Sequence, residues 1–170
     1  METVAEYNRI KEQLMKREQG VLVDALLTLA LESPSALMMV KGLISSSEER
    51  VALFRRNIER ITGQSRGNYL SGNQIFDILR RSLDLLDPEH LDPKLGLELM
   101  EAFYSADSWA FESTNTLDFD FECLFSDDAC SLFSEFAVRC PDIEYAREVQ
   151  KRLLAVDGYG VRGTLEEIAL

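Results

Sequence analysis

Apolar residues recur along most of this chain every three or four positions, the spacing of one face of an α-helix, and hardly anywhere at every second position, the spacing of a half-buried strand. Val4, Tyr7, Ile10 and Leu14 draw a narrow stripe on a polar segment and predict a first helix over 4–18, closed by Gly20. A second helix, over 21–32, is apolar nearly all round, which places it at the centre of a domain. Ser33-Pro34 ends it and opens a third over 34–44, serine as cap and proline in the first helical position. Ser46 and Glu49 stand at capping-box spacing and start a fourth helix, with Val51, Phe54, Ile58 and Ile61 inward and Gly63 as its stop.

Past a loop over 64–68 that holds Arg66 and Gly67, Ser71 and Gln74 repeat the capping-box spacing. Ile75, Ile78, Leu79, Ser82, Leu83 and Leu86 then outline a fifth helix, closed by Asp87-Pro88. Asp92-Pro93 opens a sixth, with Leu95, Leu99, Met100 and Phe103 inward. Residues 105–117 are rich in Ser, Thr, Asn and Asp and read as a loop. Helical spacing resumes at Leu117 with Phe121, Leu124, Phe125, Leu132, Phe133 and Phe136. Ser126-Asp127-Asp128 leaves open whether 117–139 is one helix or two. Cys140-Pro141 ends that stretch, and a helix over 141–156 buries Ile143, Ala146, Val149 and Leu153. Gly158 and Gly160 turn the chain into a short last helical turn over 164–170.

The expected fold is therefore all-α: eight or nine helices in stacked antiparallel hairpins, as a compact bundle or a short α-solenoid. No strict tetratricopeptide or HEAT period is present. One helical domain over 1–170 is expected, with 105–116 as the place where it would subdivide.

Charge changes this picture because it is unevenly placed. The net charge is −12, yet residues 1–66 carry ten Lys/Arg and nine Asp/Glu, a net of +1, while 67–170 carry eight and twenty-one, a net of −13. Between Leu95 and Val138 stand ten acids and no base. Such a field repels nucleic acid and anionic membrane and favours a basic partner. Arg50, Arg55, Arg56, Arg60 and Arg66 cluster on or near the fourth helix, but Glu48, Glu49 and Glu59 interrupt them. Pairing with the acidic rear part or with a second subunit explains them better than nucleic acid does. Self-association of the mildly basic front with the acidic rear is a further expectation. Three cysteines clustered in one third of the chain, no apolar signal segment and no apolar run of membrane-spanning length point to the cytoplasm.

One likeness follows from the order of features. A helix over 55–62 precedes a loop with Tyr69, and a long helix ends in Leu85-Leu86-Asp87. A helix over 95–104 and a Ser/Asp-rich loop follow, then Ala129-Cys130, Pro141-Asp142 and Asp157-Gly158-Tyr159-Gly160. Over residues 53–160 the chain resembles a bacterial helical domain family of uncharacterised function, related to the helical region that follows SWIM-type zinc fingers. The loop that carries an acidic pair, Ser and Gly in that family reads Glu112-Ser113-Thr114-Asn115-Thr116 here, and the SWIM zinc ligands are absent. The resemblance implies a helical scaffold and no zinc or nucleic-acid chemistry.

Candidate chemistry is sparse. Asp118, Asp120, Glu122, Asp127 and Asp128 suggest the first ligands of a calcium loop, but the positions that need glycine and a bidentate glutamate hold Cys123 and Ala129. On a helix, Asp118 and Glu122 share a face and Asp120 points away. His90, the single histidine, sits in a turn between two Asp-Pro pairs with no orienting partner evident. Cys123 and Cys130 are too far apart in sequence for a zinc pair and have no basic neighbour to activate them. No phosphate loop, dinucleotide fingerprint or hydrolase motif occurs, so no catalytic residue, metal or cofactor is expected. Trp109 and Phe111, set in an acidic loop, are expected either to recognise a partner or to fold back as a lid on the core.

The leading functional expectation is a non-enzymatic protein–protein interaction module that binds a basic partner through Trp109, Phe111, Asp118, Asp120, Glu122, Asp127 and Asp128. The competing one is an enzyme or a small-ligand or cation binder that uses carboxylates in a cleft between helices.

Overall fold

A computed structural model describes residues 4–33, 36, 37, 40, 45–64, 69–113 and 118–170. The chain is all-α, and among the described residues it has no strand. Seven α-helices of ten residues or more stand among them, slightly fewer than the eight or nine expected. Of the other expected helices, the one over 34–44 lies mostly outside the described residues, and the last turn is a 3₁₀ stretch, Gly163–Glu167. No helix among the described residues is long and apolar enough to cross a membrane. The chain divides into two units, Met1–Ser45 and Ser46–Leu170, so residues 105–116 fall inside the second.

The first unit contains α1 (Val4–Leu14) and α2 (Gln19–Glu32). The break between them comes earlier than the glycine signal suggested. Lys16 N–H bonds to Gln13 O and Arg17 N–H to Leu14 O, which tightens the chain out of the helix. Gly20 then lies in the first turn of α2. The expectation that α2 is a central, buried helix is corrected. Ala30 is its one buried side chain, while Val21, Val23, Leu26, Leu27, Leu29 and Leu31 are exposed. Among the described residues, α1 does not cover the apolar surface that runs all round α2. Most of the helix expected over 34–44, with Pro34 at its start, lies outside the described residues.

The second unit is built on its helix starts. In α3 (Ser47–Thr62), Ser46 Oγ accepts the Glu49 N–H at 3.2 Å and Glu49 Oε2 accepts the Ser46 N–H at 2.9 Å. In α4 (Gly72–Asp84), Ser71 and Gln74 exchange the same two bonds. In α5 (Pro93–Tyr104), Asp92 accepts the Leu95 N–H at 3.1 Å, with Pro93 in the first turn. Each cap supplies acceptors to backbone donors that have no partner within the helix. The expected loop over 64–68 lies largely outside the described residues, but Gln64 Oε1 accepts the Leu70 N–H at 2.7 Å and ties the far side of that connection down.

The apolar stripes meet as their spacing requires. Val51, Phe54, Ile58 and Ile61 of α3 and Ile75, Leu79 and Leu83 of α4 are buried against one another. Helix α5 is central: it packs on α3 and on the two later helices α8 (Cys130–Arg139) and α9 (Ile143–Ala155). Its approach to α8 is made at Gly96, where a Cβ would overlap the Phe136 ring. Ile143, expected inward, is exposed at the start of α9, while Ala146, Val149 and Leu153 are buried.

Two ion pairs fasten α5 to α9. Arg152 forks onto Glu101 at 2.7 and 2.9 Å, and Lys94 reaches Asp142 at 2.7 Å. The Arg152 hydrogen bond holds the Glu101 carboxyl below its ordinary 4.5, against a smaller upward push from burial. The Lys94 hydrogen bond, with the Tyr145 N–H, holds Asp142 below its ordinary 3.8. Both carboxyls are more acidic folded than unfolded, so unfolding takes up protons in acid. Their contribution is complete above about pH 4.5 and is lost as pH falls through the lowered folded-state values. We expect the urea midpoint to be level from pH 7 to pH 5 and to drop below pH 4.5. In Glu101→Gln the midpoint should start lower at pH 7 and fall less in acid. Equal slopes in the two proteins would show that this pair does not contribute.

Candidate functional site

Residues 118–139 form one continuous rod: α7 (Asp118–Cys123), a π-helical stretch (Leu124–Ala129), then α8. The backbone keeps helical angles across both junctions, at Cys123, Ala129 and Cys130. The Ser126-Asp127-Asp128 signal therefore marks a local widening and not a second start. A π turn misaligns backbone carbonyls and leaves them short of partners, and here side chains from elsewhere take them up. Tyr104 Oη donates to Phe125 O at 2.9 Å and Thr164 Oγ1 donates to Ser126 O at 2.8 Å. Burial pushes the Tyr104 phenol well above its ordinary range, so it stays a donor.

The rod has a dry side and a wet side. Phe121, Leu124, Phe125, Ala129, Phe133 and Phe136 face the core. Phe121 meets Phe76 edge-on at 5.7 Å, and Phe125 meets Phe103 at 5.1 Å and Tyr104 at 5.9 Å. On the opposite side Asp118, Phe119, Asp120, Glu122, Asp127 and Asp128 are exposed. Asp128 pairs with Arg80 of α4. Among the described residues the side chains of Asp118, Asp120, Glu122 and Asp127 have no ion-pair or hydrogen-bond partner. Phe119, 74% exposed, stands among these charges. The helical spacing leaves it outside the inward set of this segment but assigns it no role, since most of the aromatics here read as core. The signal was its offset of two positions from Phe121, about 200° around a helix.

Trp109 and Phe111 are not in a loop. Helix α6 (Asp107–Ser113) carries them, and both are half-buried against the core. Residues 114–117, with the Thr114-Asn115-Thr116 motif, lie outside the described residues. Phe111 stacks on Tyr159 at 5.1 Å and 14°, and packs on Phe121 at 5.7 Å. Tyr159 in turn donates to Glu112 Oε1 at 3.0 Å.

Beneath α6 lies a buried charge pair that sequence reasoning missed. Arg162 is 4% exposed and Asp107 6%. The guanidinium donates to Asp107 Oδ2 through Nε at 3.1 Å and Nη2 at 2.5 Å, to Tyr104 O at 2.8 Å and to Leu153 O at 3.1 Å. It also lies 5.5 Å from the centre of the Tyr104 ring. Asp157 prepares the approach by accepting the Val161 and Arg162 N–H groups, both at 3.1 Å, after the turn at Gly160, whose φ of +72° suits glycine. The Asp157–Arg162 segment thus closes the end of the core. No spacing rule could pair residues 55 positions apart, and Asp107 sat in a stretch that read as coil.

The other candidates have structural partners. His90 is exposed, with Nδ1 2.8 Å from Asp87 Oδ2. Burial pushes the Asp87 carboxyl up, but hydrogen bonds from His90 and the Glu89 N–H, with the charges of His90 and Arg50, outweigh it and hold it below its ordinary value. Burial raises the Cys123 thiol, and the charges of Asp127, Glu122, Asp120 and Asp128 raise it further, which is the reverse of nucleophile activation. Arg50 lies 3.6 Å from Asp87, whereas Arg55, Arg56 and Arg60 are exposed. Among the described residues no three His, Cys, Asp or Glu side chains come together as metal ligands. In the second unit a shallow groove of about 310 Å³ is lined by Ser47, Glu48, Val51, Ala52, Arg55, Leu91 and Leu95, and by none of the five rod acids. No family model matches the chain, and no curated protein or solved structure matches it either.

Proposed function

We propose that the chain is a non-enzymatic protein–protein interaction module that engages a basic partner through the wet side of the 118–139 rod. One observation carries this reading: Asp118, Asp120, Glu122 and Asp127 are exposed and unneutralised around an exposed phenylalanine, Phe119. An apolar anchor inside a charged rim is the anatomy of a recognition patch. The aromatic supplies affinity on desolvation, and the carboxylates supply steering and choice of partner. Trp109 and Phe111 enter this reading as its support, since Phe111 packs on Phe121 of the same rod. The scaffold we propose is a compact bundle rather than a short solenoid, because α5 packs on helices distant from it in sequence. Kinship with the helical region after SWIM-type zinc fingers belongs to the proposal for the scaffold alone. A cytoplasmic setting belongs to it through the three free cysteines. The carboxylate-cleft alternative has no comparable support, since the groove on the second unit is lined by none of these acids.

The test is capture of binding proteins on the immobilised chain at about 50 mM and 500 mM salt, repeated with Asp118→Asn/Asp120→Asn/Glu122→Gln and with Phe119→Ala. Screening over a Debye length of about 10 Å at low salt should make capture salt-sensitive. Three exposed charges at ~0.2–1 kcal/mol each should weaken binding by roughly 3- to 150-fold. Binders that ignore salt and both variants would sink this reading.

A further inference from the structure

We propose that the α1–α2 segment is a self-association surface whose occupant is the same segment of a second copy of this chain. The observation is an excess of wet apolar surface with no core beneath it. In the first unit Ala30 is the one buried side chain among the described residues. Exposed there are Tyr7, Ile10 and Leu14 of α1, Met15 just after it, and six Val and Leu side chains of α2. Leu31 is 90% and Met15 78% exposed. The second unit instead gathers most of its Leu, Ile and Phe in one contiguous core.

Area, pattern and charge together point to a second copy. Summed over the segment, these residues leave on the order of 1,000 Å² of surface in water, enough to supply the ~800 Å² per partner of a stable interface. Tyr7, Ile10 and Leu14 on α1 and Leu22, Leu26 and Leu29 on α2 alternate by three and four, the seam of a left-handed helical bundle. Two copies bring four such helices together, enough for a bundle core, and the contact closes on itself by a two-fold axis. An α2 that is apolar all round suits the inside of that assembly. Residues 1–45 hold five Lys/Arg and six Asp/Glu, a net of −1, whereas 46–170 hold thirteen and twenty-four, a net of −11. Like segments can therefore meet without the repulsion that the acidic remainder would impose. A lipid surface fits less well: α2 carries Asp24 and Glu32 and no base, and its 14 residues fall short of the ~20 that span a bilayer.

Sedimentation of the full chain over a concentration series to about 100 µM, at 50 and 500 mM salt, tests this. We expect twice the chain mass at both salt levels, because the contact is apolar. In Leu26→Glu/Leu29→Glu the chain should sediment at its single mass up to the highest concentration, a loss of at least about 100-fold in affinity. Leu26→Gln/Leu29→Gln, which keeps helix propensity without adding charge, should weaken association measurably with the helical circular dichroism retained. A single-chain mass for the unaltered protein at 100 µM overturns the proposal. So does a dimer that persists in both variants, or a monomer that co-floats with neutral phosphatidylcholine vesicles.

Discussion

Replacing Arg162 with methionine is expected to destabilise the Ser46–Leu170 unit by about 3–5 kcal/mol, the cost of leaving a buried carboxylate without its counter-charge. The side chain is nearly sealed from solvent and has four acceptor contacts, two of them to the Asp107 carboxylate. Methionine replaces the volume but none of the donors. Asp107 then keeps the Ser108 N–H, at 2.6 Å, and the Tyr104 carbonyl loses its guanidinium donor at roughly 1–3 kcal/mol for a buried acceptor left unpaired, while Leu153 O keeps the Val156 N–H at 3.4 Å. These losses overlap, so they do not add in full. The double variant Asp107→Leu/Arg162→Met separates the terms. It removes the orphaned charge and should regain half or more of the loss while the Tyr104 carbonyl stays short of a donor. Urea unfolding of the three proteins at pH 7 reads the cycle directly. A loss below about 1 kcal/mol in the single variant would place Arg162 among solvated surface pairs.

That pair also marks where the sequence was legible and where it was not. Local rules worked: Ser46 and Glu49, Ser71 and Gln74, and Asp92-Pro93 each announced a helix start within four residues, and the caps formed. Helical spacing also identified the buried faces of α3 and α4. Long-range facts were not legible. Nothing in the Ser/Asp-rich run shows that Asp107 is claimed by an arginine 55 residues later, and so that run read as coil instead of helix α6. Hydrophobicity alone misplaced α2, because an apolar helix announces that it must be covered and not by what. In the acidic stretch, composition located the charge, but it took the rod's orientation to set Phe119 apart from Phe121 and Phe125.

Gly96→Ala should be strongly destabilising, with a loss of about 3 kcal/mol, the upper end for overpacking a well-filled core. In an exposed helix the same change would stabilise by up to about 1 kcal/mol, since alanine is the better helix former. The sign reverses here because the new methyl falls on the Cδ1, Cε1 and Cγ atoms of Phe136, a fully buried ring held between helices. Neither partner can yield cheaply. The ring lies among packed side chains, and shifting α5 away from α8 would loosen its contacts with α9 as well. If overlap is the cause, shrinking the ring should relieve it. Phe136→Leu alone should destabilise by leaving space, yet it should cost less in the Gly96→Ala background than in the wild type. That negative coupling, of about 1 kcal/mol or more in a double-mutant cycle, is the decisive quantity. Strictly additive losses would mean that the methyl is accommodated by a backbone shift elsewhere and that Gly96 does not set the spacing of the central helix pair.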